Sequence, residues 1–307
     1  MEKIIDSLID KIKEMNNPTV LGLDPRYEML PECVTRKYSK DNQSICEAFL
    51  EYNKKLIDSV CDIIPAVKPQ MAFYEIYGPQ GIECFRETCE YAKSKGMIVI
   101  ADGKRGDIGS TAAGYSSAYL GKVGIDDKKS TYDIDFLTVN PYLGSDGVKP
   151  FVKDCEEYNK GIFVLVKTSN PSSGELQDLE LKDGKKVYEK MADMVSSWGE
   201  SLIGKYGYSS VAAVVGATYP AQIEELRKIM PHVFFLIPGY GAQGGKAEDI
   251  AKAFENGIGG IVNSSRGLMC AYQKDEYKEK YSEEDYGLAT RDEAIKMRDE
   301  LNRAINK

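Results

Sequence analysis

Asp102, Lys104 and Asp107 follow directly on an apolar run, Met97-Ile98-Val99-Ile100-Ala101, within the stretch IADGKRGDIGST. The run reads as a buried strand. Residues two apart in extended backbone point the same way, so Asp102 and Lys104 share one face. A carboxylate and an ammonium packed at the C-terminal end of a buried strand suit a catalytic site, because a positioned ammonium is a proton donor. In an arbitrary chain the same spacing is more often a solvated turn with a weak ion pair. Gly103, Gly106 and Gly109 permit a sharp turn, and Ser110 or Thr111 is placed to cap the helix that follows.

The elements that must position these charges recur along the chain. Short apolar runs at 19–23, 65–67, 97–101, 136–139, 162–166, 211–215, 234–237 and 260–262 read as strands. Helical segments separate them; one carries Ile45, Phe49, Tyr52, Leu56 and Val60 at a 3.6-residue period. Strands apolar on both faces and alternating with helices imply a parallel sheet, and eight such units imply a closed (β/α)8 TIM barrel. Residues 1–307 are expected to form a single α/β domain, with an N-terminal helix built on Ile5, Leu8, Ile9 and Ile12. All eight C-terminal strand ends then face one mouth. That mouth gathers Asp24, Lys68, Asp102, Lys104, Asp107, Ser169, Gln243 and Arg266. Lys68, Asp102, Lys104 and Asp107 are expected within contact range, each lysine held charged by flanking carboxylates.

PGYGAQGG follows strand seven and NSSRG follows strand eight. Glycine N–H groups on one loop and an arginine on its neighbour form a phosphate site where barrels commonly hold one. The helix after Thr111 is rich in small residues, which permits close packing against another subunit. Residues 126–134 read as a surface loop, and the polar stretch 171–186 is long enough for a lid. The stripe Val187, Met191, Met194, Trp198 and Leu202 reads as core.

Composition narrows the class. Of 307 residues 42% are hydrophobic and 29% charged, as in ordinary globular proteins. The net charge of −8, with no Lys/Arg block, argues against nucleic-acid or membrane-surface partners. No run approaches the roughly 20 apolar residues of a membrane span, and MEKIIDSLIDKIKEM is helical rather than a signal sequence. Seven scattered cysteines without a C-x-x-C read as reduced thiols, which places the protein in the cytoplasm. The single histidine, His232, excludes a multi-histidine metal site and leaves no Ser-His-Asp triad. With no clear dinucleotide fingerprint either, neither a metal nor a cofactor is expected.

The motifs LGLDPR, AVKPQMAFYE, ADGKRGDIGSTA, VKTSNPSS, PGYGAQGG and NSSRG together resemble the orotidine 5′-phosphate decarboxylase family, in its longer-chain branch. The D-x-K-x-x-D-I element alone is shared with sibling sugar-phosphate decarboxylases; the six in order are specific. The resemblance implies cofactor-independent conversion of orotidine 5′-monophosphate to uridine 5′-monophosphate, the last step of de novo pyrimidine synthesis. It implies that Lys104 protonates C6 and that Asp102 faces the substrate carboxylate. It further implies that Lys68 and Asp24 hold the ribose, Ser169 the pyrimidine amide, and Gln243 and Arg266 the phosphate. Asp107, with Thr111 near it, is implied to act across a homodimer interface. The alternatives are a metal-dependent sugar-phosphate decarboxylase or aldolase of the same superfamily, a Schiff-base aldolase using Lys104 or Lys167, and an inactive phosphate-binding barrel. Siblings place an acidic metal ligand at the end of strand two, where this chain has Lys68.

Overall fold

The computed structural model describes residues 2–125, 128–241 and 244–307. Eight parallel strands close on themselves in sequence order. They are β1 (Thr19–Leu23), β2 (Ala66–Pro69), β3 (Ile98–Arg105), β4 (Phe136–Val139), β5 (Gly161–Lys167), β6 (Ser209–Val215), β7 (Val233–Ile237) and β8 (Gly260–Ser264). Four strands run past the C-terminal ends of their apolar runs: β2 continues through Pro69, β3 through Arg105, β5 through Lys167 and β8 through Ser264. Pairing with neighbours extends a strand into polar residues that periodicity alone would end.

The two-residue alternation divides the core. Val20, Ala66, Ile98, Ile100, Phe136, Phe163, Ala212, Phe234 and Ile261 point into the barrel. The helix α1 (Ile4–Met15) packs Ile4, Ile5, Leu8, Ile9 and Ile12 onto the same cluster and so plugs the end opposite the strand tips. Leu21, Val67, Val99, Leu137, Val164 and Phe235 point outward to a second, larger cluster beneath the surrounding helices. Those helices include α2 (Asn42–Val60), whose N-cap Asp41 accepts the Ser44 N–H at 3.0 Å. They also include α3 (Gly78–Ser94), ended by Gly96 at φ 76°.

One local expectation fails, and a second holds only at the margin of the core. The helix α4 (Gly109–Tyr119) starts before Ser110 and Thr111, with Ile108 at its N-cap and no side-chain cap. Gly109, at φ 52°, makes the turn and brings both hydroxyl residues inside the first helical turn. On the helix Val187–Trp198 the buried face is Tyr188, Ala192 and Val195, one position round from the Met/Trp stripe. Met191 and Trp198 are half-buried at the core margin, because the helix leans its tyrosine side onto the barrel.

Candidate active site

Alternation carries the inward faces of β2, β3 and β4 from apolar to polar at the barrel mouth. Lys68 follows Ala66, Asp102 follows Ile100, and Thr138 follows Phe136. These side chains meet in one corner of a cavity of about 810 Å³. Asp102 is its hub. Oδ2 receives the Lys68 Nζ at 2.7 Å and the Gln70 Nε2 at 3.0 Å, and Oδ1 receives the Lys104 Nζ at 2.6 Å and the Thr138 hydroxyl at 2.9 Å. Burial pushes the Asp102 carboxyl up, but the Lys68 and Lys104 ammoniums outweigh it and hold the group well below the usual carboxylate range. Burial likewise pulls Lys68 down, and the Asp102 and Asp24 carboxylates outweigh it, so its pKa is raised. Lys68 is closed off, with 4% of its side chain exposed, whereas 46% of Lys104 is open to the cavity.

Lys104 reaches this position through an unusual backbone. Its φ is 45°, the left-handed region, where a non-glycine residue costs about 1–2 kcal/mol. The β3–β4 register shifts between Ala101 and Arg105 to accommodate it. Its N–H donates to Thr138 Oγ1 at 2.9 Å. Arg105, between the two acidic positions, turns outward to Glu75 and to the Tyr119 hydroxyl at 2.9 Å.

Asp107 does not join the corner, contrary to the expectation of four charges in contact. It lies outside the cavity lining, with Oδ1 accepting the Ile108 N–H at 2.8 Å. Leaving the strand at Gly106 carries it away from its own barrel mouth. Thr111 is exposed and also lies off the cavity.

The opposite wall is made by β7, β8 and β1. Asp24, Asn263, Ser264, Ser265 and Arg266 line it, and Ser169 lines the cavity beyond the end of β5. Ser265 packs where a Cβ at Gly22 would stand, so the β8 loop closes over β1 only because that residue is glycine. Asp24 Oδ1 and Asn263 Oδ1 are buried without a hydrogen-bond partner, and among the described residues Arg266 meets no carboxylate. Polar atoms like these fit hydroxyl and phosphate groups. Gln243 lies outside the described residues. Leu165, Val214 and Leu236 give the cavity an apolar floor. No three His, Cys, Asp or Glu side chains among the described residues converge as metal ligands.

The stretch 171–186 is structured. Helical turns at Pro171–Ser173 and Gly174–Gln177 and a bridge between Glu180 and Lys186 organise it. Gln177 Oε1 accepts the Thr168 N–H at 3.0 Å, and its Nε2 donates to Thr168 Oγ1 at 2.8 Å. Asp178 Oδ1 accepts the fully buried Lys167 ammonium at 2.6 Å. A register shift between Leu165 and Lys167 accompanies the loss of alternation at the end of β5: Leu165 lines the cavity and Lys167 does not. That placement removes Lys167 as a Schiff-base nucleophile facing the cavity.

Sequence reading missed Gln70, Thr138 and Asn263. All three lie two residues beyond inward-facing positions, Lys68, Phe136 and Ile261, a signal that strand parity contained.

Comparison with known proteins agrees with this geometry. Residues 18–281 match the model of the orotidine 5′-phosphate decarboxylase / HUMPS family. A Caldicellulosiruptor bescii protein named orotidine 5′-phosphate decarboxylase is 44% identical over 98% of each chain. One of the same name from Rhodopirellula baltica is 46% identical over 92% of this chain and 93% of its own. Among solved structures, one from Streptomyces avermitilis, titled a putative orotidine 5′-phosphate decarboxylase, superposes with a TM-score of 0.80 at 28% identity, covering 100% of this chain and 97% of that one. Leishmania donovani OMP decarboxylase gives 0.74 at 27% identity, covering 99% and 100%. The chain belongs to the orotidine 5′-phosphate decarboxylase / HUMPS family.

Proposed function

We propose that this barrel, residues 1–307 acting as one catalytic domain, decarboxylates orotidine 5′-monophosphate to uridine 5′-monophosphate, the closing step of de novo pyrimidine synthesis. The observation that carries the reading is the Lys68–Asp102–Lys104 chain of alternating charge lining the cavity, with Lys104 the most exposed of the three. Lys68 at the end of β2 disfavours a sibling enzyme needing a metal-binding carboxylate there.

The chemistry follows from the charges. The bond from C6 to the carboxyl carbon breaks, CO2 leaves, and the electron pair stays on C6. Lys104 stabilises that developing charge and gives its proton to C6; the resulting amine regains a proton from solvent. Asp102 repels the substrate carboxylate, a repulsion relieved as CO2 departs. Asp24 and Lys68 hold the ribose, Ser169 the pyrimidine amide, and Arg266 with Gln243 the phosphate. Phosphate binding far from C6 supplies remote binding energy for the reacting end. No cofactor or metal takes part in this scheme.

The enzyme works as a homodimer in which Asp107 and Thr111 complete the partner's site. Asp107 lies off its own cavity, and Ile108, Tyr115, Tyr142 and Leu143, on the segments that follow β3 and β4, are exposed apolar side chains of the kind an interface covers. Seven unpaired cysteines support a reducing, cytoplasmic home.

Turnover of orotidine 5′-monophosphate, followed by its ultraviolet change in excess EDTA, tests the activity. Conversion that disappears in Lys104→Ala supports it; a folded, dimeric wild type that converts nothing overturns it. Lys104→Ala and Asp107→Ala chains, each nearly inactive, should regain activity when mixed under conditions of proven subunit exchange. Exchange without recovery refutes the shared site.

A further inference from the structure

We propose that Thr138 is a positioning residue, whose hydroxyl holds Lys104 in line with Asp102. The inference rests on the reading of Lys104 as the proton donor.

Thr138 is 1% exposed and points inward from β4, two residues beyond Phe136. Leu165, Val214 and Leu236 lie on other strands of the same cavity and are apolar. A valine at 138 fills the same space, so packing alone does not call for a hydroxyl.

The hydroxyl closes a ring. Lys104 N–H donates to Thr138 Oγ1 at 2.9 Å, Thr138 donates to Asp102 Oδ1 at 2.9 Å, and Lys104 Nζ returns to the same Oδ1 at 2.6 Å. A hydroxyl has one proton. Asp102 takes it, which leaves a lone pair for the Lys104 N–H and fixes the rotor. One side chain thus ties the backbone of Lys104 to the carboxylate that its ammonium meets. The backbone needs the tie, because Lys104 is left-handed at φ 45°, a conformation that a non-glycine residue holds only when its surroundings impose it. Without the hydroxyl, the Lys104 N–H loses its partner, the residue relaxes toward ordinary extended backbone, and the ammonium leaves its line to C6. None of the groups assigned to phosphate or ribose touches Thr138 by hydrogen bond, so substrate affinity is unaffected.

The test compares Thr138→Val with Thr138→Ser. Valine should lower kcat on the order of 10²-fold, the effect of a misplaced reacting group, with KM within about threefold of wild type. Serine, which keeps the hydroxyl, should restore kcat to within about tenfold of wild type. A second readout is exchange of the C6 hydrogen of uridine 5′-monophosphate in deuterated water, which uses the same proton transfer without CO2 loss. It should fall in parallel in the valine variant while melting temperature stays within a few degrees. Should the valine chain not fold, Thr138→Ala takes its place with the same expectation. Unchanged kcat and exchange in the folded variant overturn the inference. So does a loss carried by KM, or by melting temperature without the serine rescue. Wild-type turnover in Lys104→Ala instead defeats the proton-donor reading, and the inference with it.

Discussion

The two walls of the cavity are built on opposite terms. At the β2–β3–β4 corner every charge is answered within the chain: Asp102 takes two ammoniums, an amide and a hydroxyl. On the β7–β8–β1 side Asp24 Oδ1 and Asn263 Oδ1 are buried without partners, and Arg266 meets no carboxylate among the described residues. The first wall is organised before substrate arrives, which is what charge stabilisation of a transition state requires. The second has hydrogen-bonding capacity that a hydroxylated, phosphorylated ligand completes. Chemistry and phosphate binding therefore sit on different strands of one barrel and should separate under mutation.

Lys104→Ala is the sharpest break. It should lower kcat by at least about 10³-fold while uridine 5′-monophosphate still binds near wild-type strength by calorimetry. Arg266→Ala should lower kcat/KM by about 10- to 100-fold, the cost of one charge-assisted contact. The phosphate-free nucleoside orotidine should be turned over equally by wild type and by Arg266→Ala; a difference there would place Arg266 in the chemistry and blur the division between the walls.

Acid titration probes the charged corner. The Asp102 pKa is depressed in the fold, so its stabilisation is complete above the unfolded value of about 3.9 and is lost as pH falls toward the native one. The melting-temperature gap between wild type and Asp102→Asn should be constant from about pH 5 to 8 and narrow below about pH 4. A gap that widens on acidification would contradict the ion-pair account. The smallest effect is expected from Lys167→Met. This residue is buried and paired like Lys68, but away from the cavity, and its partner Asp178 is 37% exposed and can hydrate. Melting temperature should move by only a few degrees in either direction, because a buried pair is often no more stabilising than an apolar side chain of similar size. A fall in kcat as large as that expected of Lys104→Ala would make Lys167 part of the chemistry.

Much of this was legible in the chain alone. Asp24, Lys68, Asp102, Lys104, Ser169 and Arg266 stand at the ends of apolar runs, and such runs mark strands because a buried parallel strand must be apolar on both faces. The eightfold alternation then implied the barrel, and closure brings strand ends together whatever lies between them. What the tertiary structure alone decided depends on contacts between strands distant in sequence. The left-handed turn at Lys104 comes with a hydrogen bond from its N–H to Thr138, 34 residues on. Strict parity would have sent Lys167 into the cavity, yet the shifted β5–β6 register accompanies its pairing with Asp178 instead. The path beyond Gly106 takes Asp107 off its own site. Local pattern supplies residue types and faces; inter-strand register decides which of those side chains meet.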